Sequence, residues 1–280
     1  MSGPALRDRS SHPPSGPLAA VYGIVGGSER LSLAPAIFNI GFRRLGLPAV
    51  YLSFFPSDFG AFWRDLVANG VPDLGVPVWG LTIVSPHKEA ALAVAATTGG
   101  RAERAGAANC LVRDGDEWHA SNTSGLIDLL AAEAIDPRGL QTAVVGCGGA
   151  GRSIAAELSA HDAAVTLVNR GDRRGRYASE LLGLPWTPLS GFSPRGFDLV
   201  VNATPLAREL PFDPGELRPR SVVADLAYIA GSPTKLVEAA RARQLVAIDG
   251  RKVLAAETGA QFRLMTGSPL PADAVKVALG

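Results

Sequence analysis

The stretch TAVVGCGGAGRSIAAELSA, residues 142–160, joins a short apolar run, a cluster of glycines and an alanine-rich segment. The apolar run predicts a strand over 142–146, and the alanine-rich segment predicts a helix. A turn without side chains lets the backbone approach a pyrophosphate, which the free N–H groups of a helix start can bind. The alternative is that the glycines serve only close packing of strand and helix. The residues expected to contact a dinucleotide are Gly146, Gly148, Gly149, Ala150 and Gly151.

The end of the next predicted strand, 164–169, indicates which dinucleotide would bind. A site for NAD usually carries Asp or Glu about 20 residues beyond the glycines, where the carboxylate holds the ribose 2′-hydroxyl. Here Asn169 and Arg170 end the strand, and Arg173 and Arg174 follow. Because guanidinium groups pair with a 2′-phosphate, the sequence favours NADP over NAD. The alternative is a solvated basic loop.

Short apolar or β-branched runs alternate with helical patterns on both sides of this stretch. Before it, strands are predicted over 21–25, 49–55, 78–84 and 108–113. Helices ending at glycine are predicted for APAIFNIGFRRLG (34–46) and PHKEAALAVAATTG (86–99). After it, strands are predicted over 164–169, 198–204, 221–228 and 244–249, with a helix in SPTKLVEAARAR (232–243). This alternation is typical of α/β proteins with mostly parallel sheets, and its restart predicts a second domain beginning near 125 to 140.

The composition is that of an ordinary globular protein. The chain has 280 residues, 47% of them hydrophobic, and a formal net charge of +1, so it indicates neither nucleic-acid binding nor a membrane surface. No apolar run approaches the ~18 to 20 residues that cross a bilayer. No metal site is predicted either.

Cys110 and Cys147 are predicted to be buried thiols, which fits a cytoplasmic location. Residues 1–20 are predicted to be a disordered tail or linker, with a transit peptide as the alternative.

Lys88 lies where a predicted strand passes into a helix, in GLTIVSPHKEAAL. Ligands of open α/β sheets bind beyond the carboxyl ends of the strands. A lysine there can donate a proton to a carbonyl oxygen, or accept one from a hydroxyl group. The alternative is an ordinary surface lysine. The adjacent His87 is interpreted as a surface residue without a role.

Together with the motifs around it, this stretch resembles the shikimate dehydrogenase family, and the resemblance extends over the chain from about Val21 onward. VYGIVGGSERLSLAPAIFN resembles the family's opening strand and serine-bearing loop. GLTIVSPHKEAAL resembles its lysine motif, in the form found in the dehydratase–dehydrogenase fusions of plants. The later motifs follow in the family's order: GAANCLV, SNTSG, GCGGAGRS, NR, VNATPL, DLAY, SPTKLVEAA and AETGAQFRLMTG. Each motif is weak alone, and their common order makes the resemblance specific.

The resemblance implies a fold, an activity and a partner. Family members reduce 3-dehydroshikimate to shikimate with NADPH, on the route to chorismate and the aromatic amino acids. The implied fold is α/β, with an N-terminal α/β substrate domain facing a doubly wound, Rossmann-type NADP-binding domain across a cleft. The implied limits are 21–124 plus 253–280 for the substrate domain and 125–252 for the NADP-binding domain. The expected ligand is a small cyclic hydroxy acid, and monomer and homodimer both remain open.

The family's functional positions carry over to particular residues of this chain. Lys88 matches the catalytic lysine, and Ser124 stands where the family has the aspartate of the catalytic pair. VNATPL adds Thr204 to the cofactor-binding residues. The resemblance places substrate-binding groups at Ser32, Thr82, Asn109, Tyr228 and Glu257.

The substrate site departs from the family pattern, whereas the cofactor site keeps it. Besides Ser124, the departures are Ala34 for serine, Phe38 for histidine, Thr82 for asparagine, Val84 for threonine and Glu257 for glutamine. A negative charge near an ammonium stabilises and orients Lys⁺, and serine in place of aspartate removes that charge. If that partner takes part in proton transfer, its loss costs on the order of 10²- to 10⁴-fold in rate.

Glu257 offers a compensation for the missing charge. We hypothesise that its carboxylate replaces the one absent at Ser124, for example by pairing with Lys88. The alternative is an exposed helix glutamate. Asp128, four residues after Ser124, is better interpreted as an ordinary surface acid.

Two functions remain open on the sequence. The first is an NADP-dependent oxidoreductase that acts on shikimate, on a related acid such as quinate, or on another small alcohol. The second is a non-catalytic binding or regulatory module, as in the fungal quinate-pathway repressors that resemble the family. The retained lysine and arginines favour the enzyme, and the missing aspartate favours the module.

Overall fold

The fold is described from a computed structural model that covers residues 20–27, 32–71 and 76–279, without the side chains of residues 67 and 68. The tail predicted over 1–20 lies outside the described residues, except for Ala20. That residue is buried and opens the first strand, one position before the predicted start. Within the described ranges, no helix combines the length and the apolar character needed to cross a bilayer.

The N-terminal half of the chain folds around one sheet. Its strands are β1 (Ala20–Val25), β2 (Ala49–Phe54), β3 (Val78–Ile83), β4 (Thr97–Thr98), β5 (Cys110–Asp114) and β6 (Glu117–Ser121). They lie in the order β2-β1-β3-β5-β6-β4. The accompanying helices are α1 (Ala34–Leu45), α2 (Phe59–Asn69), α3 (Lys88–Ala93) and α4 (Gly100–Ala105). As predicted, α1 ends where Gly46 adopts a left-handed conformation with φ of 63°.

This sheet is rich in parallel pairs, but β5 pairs antiparallel with both β3 and β6. The cause of the second pairing is the two-residue connection from β5 to β6, since parallel neighbours need a long crossover. The helix predicted over 86–99 is wrong in length, because α3 ends at Ala93. Thr97 and Thr98 pair with β6, as β-branched residues favour, and Gly99 precedes α4.

The C-terminal half forms a parallel sheet. Its strands are β7 (Gln141–Val145), β8 (Ala164–Asn169), β9 (Trp186–Pro188), β10 (Leu199–Asn202), β11 (Val222–Asp225) and β12 (Val246–Ile248). The order β12-β11-β10-β7-β8-β9 is that of a doubly wound dinucleotide-binding sheet, so the predicted Rossmann-type fold is confirmed. The remaining helices are α5 (Leu126–Ala132), α6 (Gly149–Ala160), α7 (Asp172–Leu182), α8 (Lys235–Ala242), α9 (Gly250–Thr266) and α10 (Ala272–Leu279).

Apolar side chains cover both faces of each sheet, and α9 joins the two halves. Phe262, near the end of α9, packs against Phe38 and Phe42 of α1, with ring centroids 5.2 and 5.5 Å apart. Val253, near the start of the same helix, belongs to the core around β7 and α6 instead. Helix α9 therefore returns the chain from the second sheet to the first.

The burial of the two cysteines was predicted correctly from the sequence, whereas the burial of His87 was not. Cys110 and Cys147 are buried free thiols, as predicted. The surface position expected for His87 is wrong: the residue is 8% exposed, and its ring stacks on that of Phe59 at 5.5 Å. His87 lies just before α3, where the ring faces α2 instead of solvent.

Candidate active site

A cavity is lined by residues from both halves of the chain, including α9. The residues from the first half are Lys88, Asn109, Asn122, Thr123 and Ser124. Those from the second half are Ala150, Ser153, Ile154, Leu226 and Tyr228, and α9 adds Gly250, Val253, Leu254 and Glu257. The fold thus brings together predicted catalytic, substrate-binding and cofactor-binding residues that are far apart in sequence.

Lys88 opens α3 and packs against the glycine turn. A Cβ added at Gly149 would lie 3.0 Å from Lys88 Cδ, so the lysine stem runs directly over that glycine. The Lys88 carbonyl accepts a hydrogen bond of 2.8 Å from the Ala108 N–H, which fixes the helix start beside β5. Burial lowers the pKa of the Lys88 ammonium; the Glu257 carboxylate opposes this shift and the Arg152 guanidinium adds to it. The neutral amine is therefore more accessible than in an ordinary surface lysine.

Glu257 points into the same cavity, so the alternative of an exposed helix glutamate is wrong. Its Oε1 accepts hydrogen bonds from Asn109 Nδ2 (2.6 Å) and Gln261 Nε2 (3.4 Å). Burial raises the pKa of the Glu257 carboxyl, and the charge of Lys88 and the Asn109 bond oppose that shift. The Lys88 ammonium nitrogen and the Glu257 carboxylate oxygens do not lie within the 4.0 Å of an ion pair. The two charges therefore interact electrostatically without direct contact.

Gln261 was not predicted from the sequence, although it organises the base of the site. Its Oε1 accepts a hydrogen bond of 2.6 Å from Thr82 Oγ1. Its Nε2 donates to Thr123 Oγ1 (3.1 Å) and to the Asn109 carbonyl (3.3 Å). The signal that could have revealed it is its spacing of four residues from Glu257, which puts both side chains on one face of α9.

The remaining predicted substrate-binding residues differ in where they lie. Asn109 and Tyr228 line the cavity, and Asn109 Nδ2 also donates to the Thr123 carbonyl (2.8 Å). Thr82 is buried outside the lining, with its hydroxyl committed to Gln261. Ser32 also lies outside the lining, and its Oγ accepts a hydrogen bond from the N–H two residues later (3.2 Å). Substrate binding by these residues stays a prediction.

Ser124 lines the cavity without bringing a charge to it. Its Oγ accepts a hydrogen bond of 3.2 Å from the Leu126 N–H at the start of α5. The hydroxyl thus helps to begin a helix. Asp128, on the first turn of that helix, is exposed, as expected for a surface acid. Within the lining, Glu257 is the residue that carries a carboxylate.

The glycine turn has the shape expected of a cradle for a ligand. Gly146 has φ of 105°, a value that side chains disfavour. A Cβ added at Gly151 would lie 1.8 Å from the Gly146 carbonyl oxygen, so no larger residue fits there. By contrast, a Cβ at Gly148 would meet nothing within 4 Å. Open space therefore lies beside the start of α6, where free N–H groups favour an anion.

The predicted basic residues lie at the end of β8, next to this turn. Asn169 Oδ1 accepts a hydrogen bond from the Cys147 N–H (3.1 Å), and its Nδ2 donates to the Gly171 carbonyl (2.7 Å). Asn169 thus ties the glycine turn to the loop that begins α7. The exposed guanidinium groups around that loop are those of Arg170, Arg173 and Arg174.

Thr204 lies after β10, beside the glycine turn. Its N–H and Oγ1 donate to Asn202 Oδ1 at 3.0 and 2.7 Å. A Cβ added at Gly146 would lie 3.0 Å from Thr204 Cγ2. Since β7 and β10 flank the point where the strand order reverses, Thr204 is placed where dinucleotides bind in such sheets. Throughout the described ranges, no cluster of His, Cys, Asp and Glu side chains could hold a metal ion.

Comparisons with known proteins show the family to which the chain is related. Residues 24–111 match the family model of the shikimate dehydrogenase substrate binding domain. A protein of Maricaulis maris named shikimate dehydrogenase (NADP(+)) is 34% identical over 265 residues, which cover 90% of this chain and 92% of the relative. The chain belongs to the shikimate dehydrogenase family. A protein of the same name from Acidiphilium cryptum is 34% identical over 268 residues, or 92% and 94% of the two chains.

A solved member of the family has the same overall fold. The crystal structure of shikimate 5-dehydrogenase from Thermus thermophilus, in complex with NADP(H) and shikimate, matches with a TM-score of 0.78 at 26% identity. The match covers 93% of this chain and 98% of that chain. The shared part therefore extends beyond the substrate binding domain to the sheet that carries the glycine turn.

Proposed function

We propose that this member of the shikimate dehydrogenase family is an NADP-dependent shikimate dehydrogenase, which interconverts shikimate and 3-dehydroshikimate in aromatic amino acid biosynthesis. The observation that carries the proposal is the position of Lys88, whose stem packs on Gly149 of the glycine turn while Asn109 and Glu257 line the same cavity. In this arrangement the Lys88 side chain borders both the glycine turn, where the dinucleotide would bind, and the polar pocket, where the substrate would bind.

The residues of the second half fit NADP. The open space beside Gly148 and the free N–H groups of α6 suit the pyrophosphate, and the exposed arginines after β8 suit a 2′-phosphate. When bound, NADP⁺ supplies the hydride acceptor for the oxidation of an alcohol. We assign cofactor binding to a domain over 125–252 and substrate binding to 21–124 plus 253–280. The packing of Phe262 against α1 supports this return of the chain to the substrate domain.

Lys88 moves the proton in this proposal. In the oxidation of shikimate, its neutral amine accepts the proton of the reacting hydroxyl group; in the reverse direction, its ammonium donates that proton to the carbonyl oxygen. Burial lowers the pKa of Lys88 and thus favours the neutral form, while the Glu257 carboxylate keeps the ammonium accessible. The balance suits a group that must gain and lose a proton in each cycle.

Glu257 takes over the charge that aspartate supplies at position 124 in the family. Ser124 is neutral and its Oγ accepts a hydrogen bond from a helix N–H, so it contributes no negative charge to Lys88. The Glu257 carboxylate is held by Asn109 and Gln261 and acts electrostatically on Lys88. The proposed acid–base unit is therefore Lys88 with Glu257, each of which stabilises the charged form of the other.

The experiment that tests the function is NADP⁺ reduction, followed by absorbance, against shikimate, quinate and a panel of small alcohols. We expect turnover with shikimate, and a lower kcat/KM with NAD⁺ than with NADP⁺. Higher kcat/KM with quinate or another alcohol than with shikimate would reassign the substrate. Binding of NADP⁺ without turnover of any substrate would contradict the enzyme and favour the regulatory module.

A further inference from the structure

Arg152 is a buried cation that the proposed chemistry leaves unexplained. It lies in the first turn of α6 and is 1% exposed. Its guanidinium carbon lies 5.3 Å from the centre of the Tyr177 ring of α7, which covers the group. Burying a guanidinium is costly unless its donors are paired, so the contacts of this group need an account.

The Arg152 fork contacts three segments that surround Lys88. Its Nε donates to the Ala105 carbonyl at the end of α4 (3.1 Å), and its Nη1 donates to the Cys147 carbonyl in the glycine turn (3.5 Å). Its Nη2 donates to Glu89 Oε1 at 2.7 Å. Glu89 directly follows Lys88 in α3. One side chain thus joins the cofactor turn to the helix start that carries the proposed proton donor.

We propose that Arg152 is a positioning residue that ties the glycine turn to the start of α3 and so fixes the Lys88 ammonium relative to a bound cofactor. The proposal rests on the role assigned to Lys88 above. It extends that role, since Arg152 does not line the cavity and acts through Glu89 and the turn.

A second ion pair also links α4 to α6 and shows what is particular to Arg152. Arg101 of α4 contacts Glu157 of α6 at 2.9 Å, so this pair connects the two helices. The pair includes neither the glycine turn nor the neighbour of Lys88. Arg152 therefore adds a link between the glycine turn and the start of α3, which the ion pair between α4 and α6 does not supply. Lysine could keep the charge at 152 but could not reproduce three contacts in different directions.

The charges around Lys88 give Arg152 a measurable signature. Glu257 of α9 and Tyr228 of the loop after β11 line the same cavity as Lys88, and Glu89 and the buried His87 flank Lys88 in sequence. Arg152 is the like charge that lowers the pKa of Lys88. Its replacement by a neutral residue removes this effect and leaves the opposing charge of Glu257, so the pKa of Lys88 should rise.

The test compares Arg152→Gln, Arg152→Lys and the wild type, with Arg138→Gln as control. Arg138 forms an exposed ion pair with Asp162, outside the cavity lining. The first readout is the pH dependence of Lys88 acetylation by trace acetic anhydride, quantified by mass spectrometry. The others are kcat and KM for shikimate and the thermal unfolding midpoint.

For Arg152→Gln we expect the midpoint of Lys88 acetylation to move to higher pH and kcat to fall on the order of 10²-fold, because the ammonium is misplaced. KM for shikimate should change by less than about threefold, since the binding groups are untouched. Arg152→Lys should keep the acetylation midpoint of the wild type, because the charge remains, yet still lose kcat. The control should match the wild type in every readout.

Wild-type kcat in Arg152→Lys would overturn the proposal, and so would an unmoved acetylation midpoint in Arg152→Gln. If Arg152→Gln does not fold, Arg152→Lys decides, since a loss of kcat at an unchanged unfolding midpoint supports positioning and an unchanged kcat refutes it. If the wild type does not turn over shikimate, the proposed function fails. The acetylation profiles then still judge the link between Arg152 and Lys88, because they need no turnover.

Discussion

Replacing Lys88 with methionine should reduce kcat for shikimate oxidation on the order of 10²- to 10⁴-fold. Methionine keeps an unbranched stem over Gly149 and removes the amine, and with it the positive charge beside Glu257. Among the described residues of the cavity lining, Lys88 is the one with a basic amine, so no neighbour is placed to replace it. The measurement is steady-state NADP⁺ reduction, with direct titration of NADP⁺ binding beside it.

The matched control for this variant is Lys276→Met, which removes an exposed ammonium of α10. It should keep wild-type kcat. NADP⁺ affinity should stay within about threefold of the wild type in both variants, because cofactor binding is assigned to other residues. If Lys88→Met retained wild-type turnover, Lys88 would not be the group that moves the proton.

Replacing Glu257 with glutamine should lower the rate of 3-dehydroshikimate reduction at neutral pH on the order of 10²-fold. Glutamine preserves the shape, and its carbonyl oxygen can accept the bonds from Asn109 and Gln261, so the change removes mainly the charge. The carboxylate opposes the lowering of the Lys88 pKa. Without it that pKa falls further, and less of the ammonium remains to donate a proton.

The pH dependence of the reduction rate should also change in a defined direction in this variant. Reduction needs protonated Lys88, so its rate declines as pH rises through the Lys88 pKa, and in Glu257→Gln that decline should occur at lower pH. Adding Ser124→Asp to Glu257→Gln should restore part of the rate, because it returns a carboxylate to the family's position. A Glu257→Gln variant with wild-type rate and pH profile would show that Glu257 does not supply the missing charge.

The sequence predicts the second sheet better than the first. In the second sheet, every strand except β9 is a short apolar run that the sequence predicts, and the glycines after β7 predict a turn whose geometry then admits only glycine at 151. In the first sheet, β6 was not predicted, because its sequence EWHAS mixes charged, aromatic and small residues. The Asp-Gly pair at 114–115 was the available hairpin signal, since such pairs favour tight turns between antiparallel strands.

Within the site, sequence reasoning identified several groups that face the cavity, but it missed others such as Asn122 and Thr123, and it placed in the substrate site Thr82, which lies behind the lining. Lys88 and Asn109 belong to quotable motifs, and both line the cavity. Arg152 and Gln261 act through partners 63 and 179 residues away in sequence, namely Glu89 and Thr82. Such contacts follow from tertiary packing, so no local pattern could assign them.

The most direct test of the central claim is a crystal structure of the protein with NADP⁺ and shikimate bound together. We predict that Lys88 Nζ lies within hydrogen-bond reach of the reacting hydroxyl group, about 2.6 to 3.2 Å, with the nicotinamide ring facing the carbon that bears it. Glu257 should remain beside the ammonium. Shikimate bound with its hydroxyl groups out of reach of Lys88, or a dinucleotide bound away from the glycine turn, would contradict the account.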